Sequence, residues 1–174
     1  MPLVVHASKY GSAELYASWI GEALGAPVAA ADEVTPQQLA ATDVVVLCGA
    51  IYGPTLRGSS LLRKAMELGT ATRFVLVTVG LSDPGITTKR DELVASKLPD
   101  ELRERLEVVH VRGAMDRSRL SLVERSMMST IRRGLAVKRD RTAEEQAMLD
   151  ALTPDSIDLT DRAAVATVVE ACLG

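Results

Sequence analysis

Three short segments concentrate the residues that could do chemistry. Ser8-Lys9-Tyr10-Gly11-Ser12-Ala13 places two hydroxyls, an ammonium and a glycine directly after an apolar run and before an amphipathic one. Where such a segment opens a helix, backbone N–H groups point outward with partial positive charge, so an anion such as phosphate can bind there. Ser8 and Ser12 can donate to its oxygens, Gly11 allows close approach, and Lys9 adds charge. The same residues also fit a polar turn in which Ser12 only caps the helix. The second segment, Gly49-Ala50-Ile51-Tyr52-Gly53-Pro54, sets small residues around a lone aromatic. Tyr52 can stack on a flat heterocycle while the glycine backbone approaches its polar edge; the alternative is a tight turn with Tyr52 covering a strand end. The third, Gly80-Leu81-Ser82-Asp83-Pro84-Gly85, is turn chemistry that can close the far side of such a pocket or simply turn the chain.

Other chemistries lack their residues. The first segment holds one glycine, so the GxGxxG dinucleotide fingerprint is missing, and no GxxxxGK[ST] loop occurs. A phosphoryl-accepting receiver needs carboxylates at the first and third strand ends to hold a divalent metal. Those ends carry His6, Ala7, Cys48 and Gly49. No Ser/His/Asp order, HExxH or carboxylate pair is placed for hydrolysis, so no catalytic side chain is singled out and no metal site is expected. His6 and His110 read as satisfied core histidines and Cys48 as a small core residue.

The elements that must position these segments follow from the apolar pattern. Continuous apolar runs at 3–7, 28–31, 43–50, 74–79 and 108–111 read as strands, and their lack of alternation suggests a sheet covered on both faces. Helical spacing occupies 12–24, 36–39, 58–68, 88–96, 99–106 and 161–173 between and after them. This alternation predicts βαβ units and an α/β fold with a doubly wound, five-stranded parallel sheet. Ligands bind such sheets beyond the carboxyl ends of the strands, where the winding reverses, which is where the three segments fall.

The 174 residues carry a net charge of −3 and are 47% hydrophobic but only 3% aromatic. One domain spanning 1–174 with an aliphatic core is expected, and a base-stacking nucleic-acid platform is excluded. Two cysteines without CxxC spacing indicate reduced thiols. No stretch reaches a membrane span and no secretory leader opens the chain, so a cytoplasmic location is expected.

Near neutrality is an average over two fields. Residues 112–141 hold nine basic and three acidic side chains, a local +6 that leaves −9 for the rest. Here Leu120, Val123, Met127, Met128, Ile131 and Leu135 share one helical face, with Arg119, Arg125, Arg132 and Arg133 on the other. Such a basic amphipathic helix can lie on an anionic membrane, guide an anionic substrate, pair with a partner protein, or pack on its own domain; Glu124, projecting onto the stripe, argues against deep insertion. It forms a helical insertion at 115–155 that a minimal five-strand fold does not require.

The 8–12 loop, the 43–53 strand and its following loop, and the glycine-ended fourth strand resemble flavodoxin-type FMN-binding domains over nearly the whole chain. The string Thr42-Asp43-Val44-Val45-Val46-Leu47-Cys48-Gly49-Ala50-Ile51-Tyr52-Gly53, then Val111-Arg112-Gly113-Ala114 and the basic segment, is similar to the menaquinone-dependent protoporphyrinogen IX dehydrogenases of bacterial haem synthesis. The resemblance implies sheet order 2-1-3-4-5 and an FMN-dependent oxidoreductase with tetrapyrrole and quinone substrates, peripheral at the inner face of the membrane through residues 120–135. It implies that Ser8, Lys9, Tyr10, Gly11, Ser12 and Ala13 hold the phosphate, that Ala50, Ile51, Tyr52 and Gly53 flank the isoalloxazine, and that Gly80, Leu81 and Ser82 form the other flavin-side loop. Two departures stand out. Ala13 replaces a threonine, losing a hydroxyl contact, and the loop after the third strand is one residue shorter. A non-catalytic flavodoxin-type electron carrier, or a fold holding another flat cofactor such as a deazaflavin, remains the alternative.

Overall fold

The computed structural model describes residues 1–68 and 73–174. The chain runs β1 (Pro2–Ala7), α1 (Ser12–Leu24), β2 (Val28–Ala30), α2 (Pro36–Ala40), β3 (Val44–Tyr52), β4 (Thr55–Leu56), α3 (Ser59–Leu68) and β5 (Arg73–Gly80). It continues through α4 (Thr88–Lys97), α5 (Asp100–Arg103), β6 (Leu106–Arg112), β7 (Ala114–Asp116), α6 (Leu122–Val137), α7 (Ala143–Leu152), β8 (Ser156–Asp158) and α8 (Val165–Leu173). The main sheet has the order β2-β1-β3-β5-β6 with every one of these neighbours parallel, and β4 adds an antiparallel pair to the end of β3. This is the expected α/β order, since β4 lies off the path and the fifth parallel strand is β6.

Side-chain alternation divides the core into two layers. On β3 and β5, Val45, Leu47, Phe74 and Leu76 face α2, α3, α4 and α5, where Leu39, Leu62, Val94 and Leu102 meet them. Val46, Cys48, Val75 and Val77 face α1 and α8, against Tyr16, Ile20 and Val168. Both strands are thus buried on both faces, which is why their sequence is continuously apolar. Each fully buried aliphatic contributes roughly 1.5–3 kcal/mol relative to exposure, so the layers are held by many such residues rather than by aromatics. Cys48 is completely buried, burial pushing its thiol pKa upward, and both cysteines are free.

Several boundaries differ from expectation. The strand expected at 43–50 runs on to Tyr52, because Ile51 and Tyr52 pair with Leu56 and Thr55 across a tight hairpin at Gly53-Pro54. The 99–106 helix shrinks to α5: Leu106 opens β6, where the β-branched run that follows pairs with β5. The final helix starts at Val165, after a single 3-10 turn capped by the Asp161 carboxylate.

The 114–158 segment forms an antiparallel β7–β8 pair enclosing two helices, α6 near the expected amphipathic helix and α7. Leu120 precedes α6 and is buried with Met115 and Leu152, while no residue of α6 is fully buried. The expected stripe is split. Of the stripe, Met128 and Leu135 are half-buried, whereas Val123 is 79% exposed, as is its neighbour outside the stripe, Leu122, at 81%. Among the described residues, no helix is long and apolar enough to cross a membrane.

Candidate functional site

The first loop positions an unusual helix start. Helices α2, α6 and α7 each begin with a reciprocal capping box, made by Thr35 and Gln38, Ser121 and Glu124, and Thr142 and Glu145. Helix α1 has none: its N-cap is Gly11, with φ 102°, a conformation that disfavours any side chain. Its first intrahelical bond runs from the Leu15 N–H to the Gly11 carbonyl, so the amides of Ser12, Ala13 and Glu14 lack intrahelical acceptors. Ser8 Oγ accepts from the Gly11 N–H at 3.0 Å and closes the turn. Ser12 is therefore not the cap. It is the first helical residue, and its Oγ accepts from the Ala114 N–H at 2.9 Å, leaving its own proton free to donate. The Ala13 methyl is fully buried in the core, so Ala13 offers its amide only.

Beside this helix start lies a partly open cavity of about 70 Å³. Tyr10, Ser12, Ala50, Ile51, Tyr52, Gly80 and Leu81 line it, so seven residues singled out from three separate segments meet around one space. Gly53 and Ser82 line an adjoining cleft of about 320 Å³, which shares Ile51, Tyr52, Gly80, Leu81 and Met128 with the first and is covered by α6 and α7. Ser8 faces elsewhere, into a cleft with His6, Asp32 and Arg57. Lys9, Gly11 and Ala13 line none of these spaces.

Tyr52 is half-buried in the β3 ladder, and burial raises its phenol pKa. Its ring meets Tyr10 edge-on, with centroids 5.7 Å apart and planes at 80°. The loop after β5 is pinned from two sides. Arg112 donates to the Leu81 carbonyl at 3.1 Å, and the buried Arg90 donates to the carbonyls of Asp83 at 2.8 Å and Ile86 at 3.2 Å. Behind it, His110 joins Thr78 through Nδ1 and lies 3.3 Å from Asp91 through Nε2. Burial, with nearby Arg90, holds the His110 pKa below its ordinary value. His110 is thus a satisfied core histidine, as its apolar strand suggests.

Sequence reasoning missed the cavity's far wall. Gly113, Ala114, Met115 and Met128 complete it, and so does Glu124. The Glu124 carboxylate accepts from Lys9 Nζ at 2.6 Å, from the Tyr10 hydroxyl at 2.5 Å and from the Ser121 hydroxyl at 2.7 Å. Those bonds, led by Lys9 and Tyr10, depress its pKa to about 2. Ser121-Leu122-Val123-Glu124 is legible as a capping box, but nothing local reveals that its carboxylate also reaches the first loop. Among the described residues, no group of His, Cys, Asp or Glu could hold a metal ion.

Comparison with solved structures finds a flavodoxin from the domain Archaea at 13% identity and TM-score 0.39, covering 87% of this chain and 95% of the other. A Trp repressor binding protein from Bacillus subtilis aligns at 14% identity and TM-score 0.42, covering 65% and 83%. A flavoprotein from Bacteroides eggerthii aligns at 16% identity and TM-score 0.41, covering 79% and 98%. No curated protein matches. The family model described as "Flavodoxin domain" matches residues 3–142, most of the chain. The parallel order β2-β1-β3-β5-β6 agrees with that match, and the chain belongs to the flavodoxin domain family.

Proposed function

We propose that this protein is an FMN-dependent oxidoreductase that takes electrons from a reduced tetrapyrrole, most specifically protoporphyrinogen IX, and passes them to a quinone. Family membership implies a flavin cofactor. The observation that carries the FMN assignment is the uncapped start of α1, whose free amides open beside a cavity walled by the ends of β3 and β5. Its donor set fits a phosphate: three first-turn amides, the free Ser12 hydroxyl proton, and a glycine at the approach. The lining of Ala50, Ile51, Tyr52, Gly80 and Leu81 fits a flat, largely apolar ring.

In this reading Ser12, the α1 amides and Lys9 hold the phosphate, and Ile51, Tyr52 and Leu81 contact the ring. Arg112 and Arg90 fix the 81–86 loop so that its backbone groups keep one orientation. Met115 and Met128 exclude water from the far side. The bound FMN supplies the electron-transfer chemistry. The adjoining cleft, with Met128, Ile131, Leu135 and Met148 above it, would receive the apolar face of the substrate, while at its edge Lys89 pairs with Glu144 at 3.6 Å and would have to leave that partner to meet a substrate carboxylate. Leu122 and Val123, exposed and neighbouring Arg125, would touch the inner face of an anionic membrane.

The test is a titration followed by turnover. Purified protein should quench FMN fluorescence at a one-to-one ratio, and the loaded protein should oxidise protoporphyrinogen IX when a quinone is supplied. Failure to bind flavin would overturn the cofactor assignment. Bound, reducible FMN without turnover would favour an electron carrier, and a different ligand released from native protein, such as a deazaflavin, would redirect the cofactor claim.

A further inference from the structure

Glu124 occupies a place that the flavin reading leaves without a role. It is the third residue of α6, yet its carboxylate lies across the chain on the loop that precedes α1. Lys9 donates to one carboxylate oxygen and the Tyr10 hydroxyl to the other, while Arg119, just before α6, donates to the Tyr10 carbonyl at 3.3 Å. Glu124, Tyr10 and Ser12 line the same cavity. The second acid in that lining, Asp116, is turned to the Ser118 amide and hydroxyl at 2.9 and 2.6 Å. Glu124 is therefore the acid that engages the loop's cation.

Three observations bear on what this contact does. First, the cavity beside Ser12 and Glu124 holds only about 70 Å³, whereas pockets for drug-sized ligands run to roughly 300–1,000 Å³, so a flavin whose phosphate lies at Ser12 must extend into the adjoining cleft of about 320 Å³ beneath α6. Second, the cover is α6, which has no fully buried residue: its C-terminal end is tied to α7 by the Arg141 bonds to the Leu135 and Ala136 carbonyls and by the Lys138–Glu145 pair, while its N-terminal end meets the first loop through this polar clasp. Third, the carboxylate is ionised at any physiological pH and presents two anionic oxygens to Lys9 and Tyr10, the groups a phosphate on this loop would engage.

We infer that Glu124 is an internal anion that clasps α6 onto the phosphate loop and competes with the phosphate of an incoming ligand for Lys9 and Tyr10, setting the site's preference between phosphorylated and unphosphorylated flavins. The inference rests on the flavin reading for its ligand, though not for its geometry. A dianionic phosphate must displace the carboxylate from Lys9 and from its neighbourhood. Riboflavin, lacking the phosphate, fills the cleft without contesting Lys9.

The test compares FMN, riboflavin and inorganic phosphate on wild-type protein, Glu124→Gln and Ser121→Ala. Glutamine retains the capping-box geometry of α6 but removes the charge, so Glu124→Gln should fold. It should bind FMN about tenfold more tightly, the scale of one charge-assisted hydrogen bond, with riboflavin affinity changed less than about twofold. Ser121→Ala loses the cap and one donor to the Glu124 carboxylate but keeps its charge, and its FMN-to-riboflavin ratio should move far less than that of Glu124→Gln. An unchanged ratio in Glu124→Gln, or an equal shift for both flavins, would overturn the inference. If no protein binds either flavin, the flavin reading fails and inorganic phosphate decides: tighter phosphate binding by Glu124→Gln supports the clasp, and equal binding refutes it.

Discussion

At Gly49 the close packing of the strand ends is visible in one atom. A Cβ built there would lie 2.7 Å from the carbonyl oxygen of Arg57, a backbone atom that cannot rotate away, and 3.2 Å from a Leu56 methyl. Gly49→Ala should therefore destabilise the protein by roughly 1–3 kcal/mol, read as a lower urea midpoint at unchanged slope. His110 makes a separate prediction. Burial and Arg90 hold its folded pKa below the unfolded 6.5, so the neutral ring contributes stability that is complete above about pH 6.5. That stability is lost as pH falls from 6.5 through the depressed folded value, because unfolding then takes up a proton. Wild-type protein should lose more stability between pH 7 and pH 5 than His110→Gln, and identical pH profiles would refute the assignment. At this scale the sequence is informative where chemistry is local. Gly11 and Ser12 announce a helix start, and Tyr52 announces itself by the scarcity of aromatics. It is silent where a side chain reaches across the chain, as Glu124 does to Lys9 over 115 residues.

Among the elements, legibility follows length and burial. The parallel strands β1, β3 and β5 each supply six or more residues of nearly continuous apolar sequence, and β6 is readable from Val108, Val109 and Val111 although Glu107, His110 and Arg112 interrupt it. Strands β4, β7 and β8, of two or three residues, are made by tertiary pairing and have no pattern of their own. Helix α6 is legible as a helix, and most of its apolar spacing marks the face that lines the two cavities, with Val123 the exception. Residues Leu120 and Met128 turn toward the body while Leu122 and Val123 turn out, a division that depends on where the capping box starts the helix. Gly134 sits in this helix with φ in the ordinary range, and a Cβ added there would meet nothing within 4 Å. Gly134→Ala should consequently stabilise α6 by about 0.5–1 kcal/mol. Amide hydrogen exchange across residues 122–137 should slow accordingly. Exchange that is unchanged or faster would show that Gly134 serves a packing or bending role.

Across the whole molecule, charge and exposed apolar surface coincide on one side. The stretch 112–141 carries +6 while the remainder carries −9, and within it Leu122, Val123, Ile131 and Val137 are exposed apolar residues on one helix. The structure also divides the arginines. Arg125 and Arg133 are exposed, whereas Arg132 is half-buried with its Nε buried and without a hydrogen-bond partner. If this pole meets an anionic bilayer, Arg125 and Arg133, the exposed arginines of α6, supply part of the attraction beside exposed Arg119 and Arg139, at about 1 kcal/mol per residue near the surface. Arg125→Gln with Arg133→Gln should then weaken binding to phosphatidylserine vesicles about 30-fold at low salt. The loss should shrink as ionic strength approaches 0.15 M, where screening acts over roughly 8 Å. Leu122→Ser with Val123→Ser should weaken the same binding at low and high salt alike, because burial of apolar surface is not screened. Cosedimentation of the four-fold variant, the two pairs and wild type separates the two contributions. Equal sedimentation of all four proteins with anionic and neutral vesicles would rule out membrane docking through α6 and leave the cationic pole to act on the charge of a substrate.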